Sequence, residues 1–84
     1  MRRVEGVEVE LNAAGRGVMF SLQFPHPDVV EVFRQALRAG ELLEMLTPSG
    51  WRAVRVTAED VQQGQGVHDI LMFSVHAVGG ACET

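Results

Sequence analysis

Residues 67–78, running Val-His-Asp-Ile-Leu-Met-Phe-Ser-Val-His-Ala-Val, read as one long strand that is apolar on both faces. Successive strand side chains point to opposite sides, so Leu71, Phe73 and Val75 line one face while Ile70, Met72 and Val78 line the other. A strand of this kind demands cover on two sides. The chain offers one convincing helix, which covers one face only, so the second face is expected to meet a closed barrel interior, a second copy of the chain or another protein.

The remaining elements follow from local patterning. Val7, Val9 and Leu11 alternate with Glu8 and Glu10, as in a strand with one wet face. Val4 has the opposite parity, and Gly6 between them suggests either a bulge or a later strand start. Turn residues from Asn12 to Gly17 lead to a second strand with Val18, Phe20, Leu22 and Phe24 on one face and Met19, Ser21 and Gln23 on the other. A hairpin of these two strands is the simplest expectation.

Pro25-His26-Pro27 ends the second strand, because proline donates no ladder hydrogen bond and restricts the residue before it. Asp28 is expected to cap a helix from Val29 to Ala39, with Glu31 completing a capping-box variant. Its apolar stripe is Val29 or Val30, Phe33, Ala36 and Leu37, and Gly40 stands where a left-handed terminator belongs. Glu41 to Thr47 reads as a third strand, the alternative being that Leu42-Leu43 prolongs the helix past Gly40. Thr47-Pro48-Ser49-Gly50 fits a tight turn into a fourth, Trp51 to Thr57, with Val54 and Val56 inward and Arg55 outward. Thr57-Ala58-Glu59-Asp60 resembles a capped helical turn, and a polar loop leads to the final strand. The expected fold is a single α+β domain over residues 1–84: an antiparallel sheet of about five strands in the order ββαβββ, with one main helix on one face.

Composition narrows the class. The longest strongly apolar run, Ile70 to Phe73, is far short of a membrane span. Three carboxylates at Glu5, Glu8 and Glu10 interrupt any signal-peptide reading of the N-terminus. Cys82 is the only cysteine, so no intrachain disulfide exists and a reducing cytoplasm is the default compartment. The formal charge of −4 argues against broad nucleic-acid binding.

Candidate chemistry is sparse. His68 and His76 share strand parity but lie roughly 26 Å apart along an extended chain, so one ion cannot join them within a chain. Glu8 and Glu10 sit on one strand face, yet nothing in the sequence raises a carboxyl pKa there. Cys82 stands beside Glu83, which disfavours a thiolate. Ser21, Ser49 and Ser74 lack a nucleophile elbow. The glycines at 15 and 17 and at 64 and 66 extend to no nucleotide fingerprint, and the chain has no lysine for a P-loop. Neither a metal nor a cofactor is expected.

The reading that follows is a non-enzymatic interaction module, assembling with itself or docking to another protein through the sheet face or edge that the helix leaves bare. Trp51, Arg52, Met19, Ile70 and Met72 are the candidate contact residues, Trp51 being either an interface anchor or a core plug. Such a chain could be an assembly subunit, a small regulator, or a viral-type accessory inhibitor of a host enzyme. Two alternatives stand beside it. One is a small enzyme whose site forms between subunits from His26, His68, Asp69 or His76. The other is a nucleic-acid accessory protein that gathers Arg2, Arg3, Arg16 and Arg52 on one surface.

Overall fold

A computed structural model describes residues 1–62 and 69–79. The element order is β1 (Arg2–Glu8), β2 (Arg16–Phe20), a 3-10 turn (Ser21–Gln23), α1 (Asp28–Ala39), β3 (Leu42–Thr47), β4 (Gly50–Gln62) and β5 (Ile70–Ala77). This is the expected ββαβββ arrangement with one α-helix on a five-stranded sheet. Residues 67 and 68, expected to begin the final strand, lie outside the described residues.

The expected hairpin of the first two strands does not form. The sheet order is β1-β3-β4-β5-β2, so β1 and β2 occupy opposite edges. β1 pairs in parallel with β3, and the other three pairings are antiparallel. Local alternation identifies strands but carries no information about their neighbours. Here the connection after Glu8 crosses the sheet: the Val9 amide donates to the Leu46 carbonyl beside β1, while the Asn12 amide donates to the Arg16 carbonyl of β2. The crossing is so close that a Cβ on Gly17 would stand 2.5 Å from the Glu10 carbonyl oxygen.

Two bulges set which side chains enter the core. Between Val4 and Glu8 the β1 register slips against β3, with Gly6 at φ 88°. Val4 and Val7 therefore both point inward despite opposite parity, as the Gly6 break suggested. A second slip lies between Val56 and Ala58 in β4. Residues 57–60 are strand rather than the expected helical turn, because β4 stays paired with β5 through Gln62. The slip also turns Glu59 to the face that bears Phe73.

The core lies between that face and α1. Val4, Val7, Val9, Met19, Leu43, Met45, Val54, Val56, Phe73 and Val75 meet Val29, Phe33 and Ala36 of the helix. Phe24, Phe33 and Phe73 form an aromatic cluster with ring centroids 4.9 to 6.1 Å apart. Arg34 fastens the helix to β4 by donating from Nε and Nη2 to the Glu59 carboxylate, the shortest bond being 2.9 Å. The helix starts differently from expectation. Asp28 already lies within its first turn, makes no capping bond and leaves its side chain 93% exposed. Pro27, at φ −61° and ψ −24°, occupies the cap position, since its ring fixes φ near the helical value. At the other end Gly40 adopts φ 69° and returns its amide to the Ala36 carbonyl, the expected termination.

Candidate docking face and groove

Strand register maps the sheet face that α1 does not cover. On this face Leu46 stands opposite Trp51, and Glu44 opposite Ala53. Leu42, Arg55, His76 and Arg16 then form one row across four strands. Ala58, Ser74 and Val18 make the next row, followed by Asp60, Met72 and Phe20, and then Gln62 and Ile70. Apolar groups gather at the two ends, with small and basic residues between them. Val18 is 46% exposed, and Phe20, Ile70 and Met72 are half-buried. Leu22, on the 3-10 turn that follows β2, is 76% exposed.

Only part of the expected contact set belongs to this surface. Ile70 and Met72 lie on it together. Trp51 is also on it but at the opposite end of β4, roughly 30 Å from Met72 as strand residues are spaced. Trp51 is no core plug: it is 36% exposed, with the Arg3 guanidinium 4.1 Å above its ring. Arg3 is held in turn by Glu44 at 2.9 Å.

Met19 does not join the docking face. It pairs with Phe73 on the helix side and is completely buried, because the β2–β5 register places Val18 and Phe20 outward instead. Arg52 pairs with Met45 and so also lies on the helix side. The apolar set of the second strand is thus split. Val18, Phe20 and Leu22 face away from the core, whereas Phe24 returns to it after the 3-10 turn resets the parity.

The sheet edges are guarded. β1 is interrupted by its bulge and presents the exposed charges Arg2, Glu5 and Glu8. β2 has only five residues, and side chains occupy both ends of its free edge. The Arg16 amide donates to Asn12 Oδ1 at 2.9 Å, and the Phe20 amide donates to Gln23 Oε1 at 2.8 Å. The Gly15 carbonyl accepts from Ala77 of β5, which fixes the alternation: Arg16, Val18 and Phe20 direct their backbone groups away from β5. Val18 is left with an outward N–H and C=O that meet no partner among the described residues.

An open groove of about 1190 Å³ runs from this edge toward the β1–β2 connection. Arg16, Val18, Phe20 and Gln23 line it, as do Ala58, Ser74 and His76 and the segment from Glu8 to Asn12. Glu8, Glu10 and Arg16 have no ion-pair partner among the described residues. The expected common strand face of Glu8 and Glu10 does not form, because β1 ends at Glu8 and Glu10 follows on the crossing connection; that connection is what brings both to a groove with β2.

The residues of the alternative readings stay apart within the chain. His76 lies in the groove, with Nε2 3.2 Å from the Ala14 carbonyl oxygen. Asp69 is seven residues earlier, roughly 23 Å along the extended strand. His26 precedes α1, with Nδ1 3.9 Å from the Asp28 carboxylate, and His68 lies outside the described residues. No group of three or more His, Cys, Asp or Glu side chains suited to a metal occurs among the described residues. The four arginines do not form one surface. Arg2, opposite Leu43, and Arg52 lie on the helix side, while Arg3 on β1 and Arg16 on β2 belong to opposite edge strands.

Among the described residues no helix is long and apolar enough to cross a membrane. Comparison with protein-family models, with curated proteins and with solved structures finds no match to this chain.

Proposed function

We propose that this chain is a non-enzymatic protein-interaction module that docks to a second copy or to another protein through the sheet face opposite α1. One observation carries the reading. Phe20 and Met72 stand side by side on that face, with Ile70 and Val18 as neighbours, and α1 covers the other side. A contiguous cluster of large apolar side chains on an otherwise polar domain is the usual mark of a contact surface. The guarded edges add support, since they disfavour open-ended strand addition and leave the face as the broader surface for assembly. In this reading the chain works as a compact cytoplasmic subunit or regulator, and inhibition of a larger enzyme by surface contact is one use of such a module.

Light scattering over a concentration series, combined with capture from an extract of the source cells, tests the reading when run on wild type and on Met72→Arg. The variant should keep the helical circular dichroism of the wild type and lose either self-association or a captured protein. A monomeric wild type that captures the same proteins as Met72→Arg overturns the proposal.

A further inference from the structure

The groove beside β2 brings together three features with one chemical requirement. First, Val18 presents an outward N–H and C=O, a two-bond site for another extended backbone, and its side chain is 46% exposed. Second, Asn12 and Gln23 already satisfy the backbone groups on either side of it. An added strand can therefore engage at one register and cannot propagate along the edge. Third, Glu8 and Glu10 line the same groove, with no cation paired to either carboxylate among the described residues.

We propose that this groove binds an extended basic segment of a partner protein. The segment's backbone pairs with Val18 and its alternate side chains are arginine or lysine directed at Glu8 and Glu10. The apolar residues between them rest on Val18 and Phe20. Backbone hydrogen bonding supplies a fixed direction, and the pockets for alternate side chains supply selectivity, the usual division of labour in strand addition. Beyond Val18, on the side away from the free edge, Ser74 and Ala58 continue the groove with small side chains. The assignment rests on the interaction-module reading and gives the chemistry of one partner. Arg16 sets its limit: it lies at the Asn12 end and repels a basic residue there, so the segment's positive groups belong toward Glu8 and Glu10.

The test uses the full chain and a blocked six-residue peptide of alternating arginine and valine, titrated while amide resonances are followed by NMR. A glutamate–valine peptide of the same length and an N-methylated arginine–valine peptide are the controls. Saturable shifts centred on the Val18 amide are expected, weakening as salt is raised. The acidic and N-methylated peptides should bind at least roughly tenfold more weakly, as should the basic peptide to the double variant Glu8→Gln with Glu10→Gln. Both substituted side chains are on exposed residues, and an unchanged amide spectrum verifies the fold of that variant. No saturable binding at millimolar peptide, equal binding of the acidic peptide, or shifts centred away from Val18 each overturn the proposal. Loss of peptide binding alongside a Met72-dependent association removes this partner chemistry and leaves the docking-face reading intact.

Discussion

Gly17 and Phe73 carry constraints of different kinds at the scale of single residues. Gly17 is needed for space rather than for an unusual backbone angle, because the Glu10 carbonyl occupies the volume a Cβ would take. Gly17→Ala must displace backbone and should cost about 1–3 kcal/mol in urea denaturation, the range for overpacking. A loss below about 0.5 kcal/mol would mean the crossing segment yields freely. Phe73 is fully buried against Phe24 and Phe33, so Phe73→Ala should remove about 3–5 kcal/mol, a large share of the stability of so small a domain. A loss under about 1 kcal/mol would show that this ring is not part of a packed core. Arg34 shows how one residue depends on a distant bulge. Hydrogen bonding to Glu59, and then the Glu59 charge, raise its pKa above the ordinary value. Stability from a raised cation is present below its unfolded pKa and lost only as pH climbs through the folded one, so Arg34 adds no pH dependence near neutrality.

At the scale of elements, the helix start and the β3–β4 turn exchange the importance that their sequences suggest. Asp28 looks like a cap, yet its side chain bonds no backbone amide and is largely in water. Asp28→Ala should therefore change stability by less than about 0.5 kcal/mol, as for an ordinary surface site. Thr47 looks like a routine turn residue, yet it is buried. Its hydroxyl donates to the Gly50 carbonyl at 2.7 Å and accepts from the Ser49 amide at 3.2 Å. Thr47→Val leaves both groups short of a partner and should cost about 1–3 kcal/mol. Thermal denaturation of the two variants ranks them directly, and a larger loss at Asp28 would reverse the assignment.

For the whole molecule, the sheet has one committed face and one bare face, which two methionines can distinguish. Met19→Arg places a charge among fully buried side chains and should unfold the chain. Met72→Arg places the same charge on the helix-free face and should leave it folded. Circular dichroism and amide dispersion report the outcome, and unfolding by both variants would mean that the second face is also internal to the chain. The parallel β1–β3 pair has a kinetic consequence as well. It joins residues about forty positions apart, so β1 is expected to dock late, after the β3–β4 hairpin. Pulsed hydrogen exchange should protect Leu43 and Val54 before Val4.

The chain's periodicity determined the order of its main strands and helix, because alternation, proline stops and the left-handed glycine after α1 act over a few residues; it missed the 3-10 turn at Ser21–Gln23 and the strand character of residues 57–60. It also marked a break at Gly6 by a local change of parity, and the register against β3 decided that the break is a bulge and not a later strand start. Strand neighbours, the direction of Met19 and the inward turn of Glu59 came only from tertiary structure. Each depends on which distant strand supplies the ladder and at what register, and a shift of one residue exchanges the two faces of a strand. The groove follows the same rule. Its carboxylates were visible as a pair, but they share a groove with the Val18 edge only because the Val9–Gly15 connection carries the chain from one side of the sheet to the other.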